Sequence, residues 1–256
     1  MIFKNILFSI LALFLCNSIG AQILNIDREV GADTAIKSWS ASITSSFSSD
    51  KLKGNLIDFS NRTEFDKRLK NNYVIVGQLN TDLTFLEKDI IQNEGYFQLR
   101  YRDFDKRKLS LESYLQYQWN GSLLMAYRKV IGSNARVQLL EKDKLDLYSG
   151  VGVFYETEKW NYENNITNRN LYRLNQYFKF ASKINEKIDI STNSYLQFPL
   201  NKDFTNTRWF LELNANVNIS KKVNFVIHWD HTLDNYRVVP ISNFYYSLNF
   251  GIQVVL

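Results

Sequence analysis

From Phe244 to Leu256 a large apolar residue stands at every even position: Phe244, Tyr246, Leu248, Phe250, Ile252, Val254 and Leu256. The odd positions carry Tyr245, Ser247, Asn249, Gly251, Gln253 and Val255, mostly small or polar. A strand sends successive side chains to opposite faces, so this pattern predicts one greasy face and one wet face. Chain ends are usually frayed and polar, whereas this greasy face runs to the last residue. A strand closing a membrane barrel, with lipid outside and water inside, accounts for that.

The same period of two recurs at about 38–48, 55–68, 73–86, 95–104, 108–119, 128–140, 144–157, 168–184, 188–199, 207–219, 223–233 and 244–256. Most of these segments are long enough to cross a bilayer at a tilt, which takes about 9–11 residues. The expectation is an all-β protein: a single antiparallel up-and-down transmembrane β-barrel of about twelve strands. Ten strands result if the second and sixth segments drop out. The second carries Asp58, Arg62 and Glu64 on one face, and the sixth offers only Ile131, Ser133, Ala135, Val137 and Leu139 to lipid. An even number puts both termini on one side.

The connections alternate. Five are tight and charged: 70–72, 105–107, 141–143, 185–187 and 220–222. Longer ones are expected at 49–54, 87–94, 120–127, 158–167, 200–206 and 234–243. Short turns on one rim and long loops on the other is the outer-membrane pattern, with the short turns periplasmic. Pro199 and Pro240 sit at or in long connections, where no ladder donor is needed. Treated as three-residue hairpin loops, the tight turns pair Leu69 with Tyr73, Ile184 with Ile188 and Ile219 with Val223, and apolar parity carries across each turn. In the tenth segment the outer set is Trp209, Leu211, Leu213, Ala215, Val217 and Ile219, and the inner set is Arg208, Phe210, Glu212, Asn214, Asn216 and Asn218. Trp119, Trp209 and Trp229 fall on the apolar parity near the long-loop ends, as an interfacial aromatic girdle requires.

The N-terminus points to export. Met1-Ile-Phe-Lys4 is a short basic start, Ile6 to Leu15 is apolar, and Ile19-Gly20-Ala21 is a small-residue cleavage site. This reads as a signal peptide over 1–21, cleaved after Ala21 on the Sec route, and it is too short to span a bilayer. Cys16 as a lipoprotein cysteine is disfavoured by Phe14-Leu15 before it, where small residues are wanted. The mature chain then has no cysteine, and so no disulfide or thiolate chemistry. Residues 22–37 lack a pattern and read as a periplasmic lead-in to a barrel over 38–256. Net charge is +5, and +4 without Lys4, with both signs scattered, which is unlike a nucleic-acid binder. No metal, nucleotide or cofactor motif is present.

Three constellations could carry chemistry or address. Asn249, Gly251, Val254 and Leu256 resemble the C-terminal β-signal read by the barrel-assembly machinery, although its last residue is usually aromatic and here is Leu. His228-Trp-Asp230-His231 is the catalytic-looking cluster. His228 and Asp230 share the lumen parity, with His228 expected opposite Asn214 and Asp230 opposite Glu212; His231 is on the other face. Spacing fixes no Ser beside His228, and a metal site needs more ligands on one face. A polar lumen network of Arg100, Glu112, Glu212, His228 and Asp230 is therefore preferred to a catalytic, cofactor or metal site. A three-residue loop at 105–107 places Arg100 opposite Glu112 and Arg102 opposite Ser110, with Glu156, Arg173 and Lys179 also inward. These charges imply a lumen crossed by ion pairs, narrow or closed.

Asn93-Glu-Gly-Tyr-Phe-Gln-Leu-Arg-Tyr101, Leu109-Ser-Leu-Glu-Ser-Tyr-Leu-Gln-Tyr117, Leu145-Asp-Leu-Tyr-Ser-Gly-Val-Gly-Val153, Tyr195-Leu-Gln-Phe-Pro199 and Ile219-Ser-Lys-Lys-Val223 are similar to the YdiY-like, salt-induced outer-membrane protein family, a domain of unknown function. The resemblance covers about two thirds of the chain. Its motifs are strand patterns rather than catalytic signatures. It implies a single outer-membrane β-barrel and supplies no substrate. The Gly-rich strand expected around 130–140 is reduced here to Val130-Ile-Gly-Ser-Asn134.

Three functions follow as expectations. The first is a non-enzymatic barrel of a Gram-negative outer membrane, structural or porin-like with a narrow pore. Its partners would be outer-membrane lipid and lipopolysaccharide, periplasmic chaperones and the barrel-assembly machinery, with no nucleic acid and with oligomeric state open. The second is an outer-membrane hydrolase or lipid-modifying enzyme using His228 and Asp230. The third is a soluble secreted β-barrel binding a small ligand, which requires an apolar lumen and a polar exterior.

Overall fold

The structure is a computed structural model that describes residues 39–255 apart from 52–54, 70–72, 104–107, 163–164, 202–205, 236–237 and 241. The expected signal peptide, the 22–37 lead-in, the 105–107 turn and Leu256 lie outside the described residues. The strands are β1 (Trp39–Lys51), β2 (Asn55–Arg68), β3 (Tyr73–Leu86), β4 (Asp89–Asp103), β5 (Leu109–Asn120), β6 (Met125–Lys142), β7 (Leu145–Tyr162), β8 (Asn165–Lys183), β9 (Ile188–Pro199), β10 (Arg208–Asn218), β11 (Val223–Asp234) and β12 (Phe244–Val255). Each pairs antiparallel with its sequence neighbour, and β12 returns to β1 to close a twelve-stranded barrel. Twelve strands replace the alternative of ten, because β2 and β6 each form full ladders on both sides.

Three tight turns have the expected register. Leu69 N–H donates to the Tyr73 carbonyl at 2.8 Å, Ile184 to Ile188 at 2.9 Å and Ile219 to Val223 at 3.0 Å. The hairpin between β4 and β5 differs: Arg102 pairs with Glu112 and Arg100 with Tyr114, two residues along β5 from the expected partners. A one-residue shift of the turn centre preserves which face each side chain takes, so parity alone could not detect it.

On the other rim, two expected loops are largely strand. The 87–94 connection shrinks to Glu87 and Lys88, and β7 continues to Tyr162 before β8 begins at Asn165. Glu87 takes the turn at a positive φ of 55°, and Asn55 N–H donates to its carboxylate at 2.8 Å. In these extensions apolar residues such as the adjacent Ile90 and Ile91 do not alternate with polar ones, so the pattern that marks a half-buried strand vanishes.

The apolar parity faces outward. Phe97, Leu99, Leu115, Ile131, Val153, Phe178, Phe250 and Ile252 are exposed, while their inward neighbours Gln98, Arg100, Gln116, Asn134, Glu156 and Lys179 are buried. Aromatic rings mark both ends of this belt. Tyr73 stacks on Tyr101 (4.9 Å between centroids) near the short-turn rim. Trp119 lies against Tyr117, and Trp209, Trp229 and Phe244 surround His231, near the long-loop rim. Trp119 Nε1 donates to Asn93 Oδ1 at 2.9 Å, and Trp209 Nε1 donates to Ser194 Oγ at 3.1 Å, so each ring has a polar tip in contact. An apolar exterior, a polar interior and short turns on one rim make this an outer-membrane-type β-barrel. No helix among the described residues is long and apolar enough to cross a membrane. The soluble-barrel expectation required the opposite arrangement of faces.

Candidate functional site: the lumen

The lumen is packed along one wall and open along the other. On the packed wall the inward residues of β5 to β10 stack in layers. Tyr114, Val130, Phe154, Tyr177, Tyr195 and Phe210 form a buried apolar layer across it. Two glycines make room for this layer. A Cβ on Gly150 would sit 2.1 Å from the Tyr177 ring, and one on Gly132 would sit 2.6 Å from both Tyr114 Oη and Phe154 Cβ. Bare backbone at these inward positions lets large rings cross the lumen.

Ion pairs fill the rest of the packed wall. Glu156 accepts from Arg173 at 2.5 Å and Arg208 at 3.1 Å, with Arg128 at 3.8 Å. Glu158 engages Arg128 at 2.5 Å, Arg169 at 2.6 Å and Arg208 at 3.2 Å. Arg208 also reaches Asp234 at 3.1 Å. Both glutamates are wholly buried. A second group lies toward the short-turn rim. There Arg100 pairs with Glu112 at 3.2 Å, and Glu112 accepts from Asn134 and from Tyr177 Oη, each at 2.8 Å. The expected Arg100–Glu112 contact therefore forms, on a diagonal rather than directly across the strands.

At mid-height one cation crosses to the packed wall. Arg62 of β2 reaches Glu212 of β10 at 3.3 Å and Glu64 at 3.5 Å. His228 stands opposite Asn214 and Asp230 opposite Glu212, as parity predicts. His228 Nδ1 is 2.6 Å from Asn214 Oδ1 and 3.3 Å from Glu212, and Nε2 is 3.3 Å from Asp230 Oδ1. Arg62 Nη1, a donor, is also 3.3 Å from Nδ1, so both ring nitrogens are engaged by neighbouring side chains. The Ser247 hydroxyl, which a Ser–His arrangement would point at the ring, donates to Asp230. His231 lies on the outer face among aromatic rings, away from this cluster. No group of three or more His, Cys, Asp or Glu able to hold a metal ion occurs among the described residues.

A cavity of about 1650 Å³ occupies the open wall. It is bordered by Lys144, Lys183 and Asp189 toward the short-turn rim, by Arg62 and His228 at mid-height, and by Asp58 and Gln92 toward the other rim. The packed wall's Glu158 and Asp234 escaped the sequence reading because their positions were assigned to loops. The pairing of Arg62 with Glu212 escaped it because it joins strands far apart around the barrel. Of the suspected assembly residues, Asn249 and Gly251 lie on the lumen parity of β12 and Val254 on the lipid parity.

The sequence profile of the family described as "Protein of unknown function, DUF481" matches residues 44–238. No curated protein matches the chain. Among solved structures, the translocator domain of autotransporter NalP from Neisseria meningitidis is 12% identical, covering 88% of this chain and 90% of its own, with a TM-score of 0.49. The NanC porin is 12% identical over 84% of this chain and 98% of its own (TM-score 0.46). The KdgM porin in complex with disordered oligogalacturonate is 11% identical over 84% and 98% (TM-score 0.40).

Proposed function

The chain belongs to the DUF481 family of proteins of unknown function, and on that footing we propose that it is a non-enzymatic protein of a Gram-negative outer membrane whose lumen is a narrow polar conduit. The observation that carries this reading is the cavity of about 1650 Å³, whose lining residues extend from one rim to the other while ion pairs and rings pack the opposite wall. Arg62 narrows this conduit at mid-height by reaching across to Glu212. The protein would arrive by a signal peptide cleaved after Ala21. It would use periplasmic chaperones and the barrel-assembly machinery, the latter reading Asn249, Gly251, Val254 and Leu256, and it would sit among outer-membrane lipid and lipopolysaccharide.

Planar-bilayer recording tests the conduit. Wild-type protein should give small conductance steps, and Arg62→Ala should raise them, because the crossing side chain is removed. Silence from both proteins would defeat the reading, as would large steps from the wild type that Arg62→Ala leaves unchanged.

The engagement of both His228 nitrogens by Asn214, Arg62 and Asp230 favours a structural role for that residue. Purified wild-type and His228→Ala proteins should therefore be alike in an assay of phospholipid hydrolysis, with neither above the protein-free rate. Hydrolysis that disappears with His228 would replace the conduit by an enzyme.

A further inference from the structure

The barrel closes unevenly. β1 shares thirteen rungs with β2, and β12 shares eleven with β11. Between β1 and β12 there are four, from Ser42↔Val255 to Ser45↔Ile252, all toward the short-turn rim. Beyond Ser45 the register would bring Phe47 to Phe250 and Ser48 to Asn249, but no rung joins them. The missing half of the seam lies at the level of Leu248 and Phe250, within the apolar belt. Open strand edges are not sustained in hydrocarbon unless they border a polar or water-filled cavity.

Such a cavity is present, and it borders the seam at this point. Its lining includes Phe47, Leu248 and Phe250, whose side chains belong to the outer, lipid-facing parity, together with Ser48, Ser247 and Asn249 of the inner parity.

Just inside the opening carboxyl groups outnumber basic ones. Asp58 and Asp230 flank it, accepting from the Ser48 and Ser247 hydroxyls on its two lips. Asp82 and Glu94 border the same end of the cavity, and Arg62 beneath them is the cation. Asp230 Oδ2 and Asn80 Oδ1 are buried without a hydrogen-bond partner, although both residues line the cavity. A buried acceptor left unpaired costs about 1–3 kcal/mol, a cost that a donor-bearing occupant reaching either oxygen would offset. A cleft lined mainly by one sign also concentrates the opposite charge.

We propose that the unzipped half of the β1–β12 seam is a lateral portal admitting an amphiphile with a single alkyl chain and a cationic, hydrogen-bond-donating head. The head sits among Asp58, Asp82, Glu94 and Asp230, and the chain lies between Phe47 and Phe250 toward the outer leaflet. The inference rests on the membrane orientation in the proposed function, with the short-turn rim periplasmic.

The test uses Ser48→Cys/Asn249→Cys in the otherwise cysteine-free mature chain, reconstituted in phosphatidylcholine vesicles. A disulfide, or a one-carbon thiol cross-linker where the gap is too wide for one, locks the seam shut. The probe is dodecylamine carrying a photoactivated diazirine beside its ammonium head, with adducts mapped by mass spectrometry. Adducts on the peptides of Asp58 and Asp230 should appear in the reduced protein, fall to background in the locked one and return with reductant. A sulfate-headed analogue should leave these peptides at background throughout. Equal labelling of open and locked protein would overturn the portal, as would absent lumen labelling in the open protein or equal labelling by the sulfate analogue. Conductance recorded on the same samples keeps the two proposals apart. Steps that persist while locked and open proteins label equally count against the portal alone, and silence with seam-dependent labelling counts against the conduit alone.

Discussion

Replacing Glu156 by Gln should destabilise the barrel by about 3–5 kcal/mol, the range for breaking a buried ion pair and leaving its partner charged. Four arginines, Arg128, Arg169, Arg173 and Arg208, are held by three carboxylates, Glu156, Glu158 and Asp234. The group already carries one surplus positive charge, and Gln would raise that to two. Arg173 loses its 2.5 Å partner and keeps contacts with the Asn206 backbone carbonyl at 2.9 Å and side chain at 3.5 Å. Neither contact supplies a negative charge. The measurement is the urea midpoint for loss of the compact, heat-modifiable gel band, taken at low ionic strength. Glu156→Gln/Arg173→Gln should recover part of the loss, because the charge surplus returns to its original value. Residues in one network couple by about 0.5–3 kcal/mol, so a double variant whose loss is the plain sum of the singles would show that the two do not act as a pair. A Glu156→Gln barrel as stable as the wild type would mean that water, rather than the arginines, neutralises this glutamate.

The buried charges also explain why the lumen is lopsided. An apolar filling would suit a soluble core, but a barrel strand must keep its apolar parity for lipid, which leaves the inner parity polar. The polar residues that fill the lumen must then satisfy one another, since a buried unpaired group is costly. Arginine serves this purpose on the packed wall because its fork reaches several acceptors at once, as Arg208 does with Glu156, Glu158 and Asp234. On the opposite wall the inner residues of β1 from Ser40 to Ser48 are Ser40, Ser42, Thr44, Ser46 and Ser48. These side chains are too short to cross the lumen, so the space beside β1 remains as cavity.

What could be read in advance follows from which signals are local. Parity is local, so the inward placement of Arg100, Glu112, Glu212, His228 and Asp230 and the outward placement of Trp119, Trp209 and Trp229 were legible from alternation. Register across a tight turn is nearly local, which is why Asn214 stands opposite His228. It slipped for Arg100 and Glu112, where a shifted turn centre kept parity but changed partners. Contacts around the barrel are not local at all. Nothing in spacing brings Arg62 to Glu212, 150 residues away, or Arg208 to Glu158. Strand ends beyond the membrane have no lipid-facing stripe, so the extensions of β7 and β8 looked like a loop. The incomplete seam is invisible for a further reason: β1 and β12 each have a regular pattern, and only their pairing is short.

Leu99→Arg should cost the folded barrel about 2–4 kcal/mol, the price of a cation on the lipid face near the midplane. Leu99 is on the outer parity of β4, between Leu115 of β5 and Gly77 of β3, and is 37% exposed. It lies between the Tyr101 ring at one end of the belt and Phe97 and Tyr117 toward the other. The long side chain of the substituted arginine has a stem that can run toward an interface, which keeps the cost to a few kcal/mol instead of the far larger value for a fixed charge in hydrocarbon. Its neighbour Gln98 faces the lumen, where its amide donates to Gln116 at 2.9 Å and accepts from Arg100 at 3.3 Å. The comparison that isolates lipid from packing is between environments. In phosphatidylcholine vesicles Leu99→Arg should lower the urea midpoint and the yield of folded protein, whereas in short-chain detergent micelles, where water lies close to the belt, most of that loss should vanish. A side chain at 99 packed against protein would lose stability equally in both. An unchanged midpoint in vesicles would mean that this wall of the barrel does not meet lipid, and the assignment of faces would fall with it.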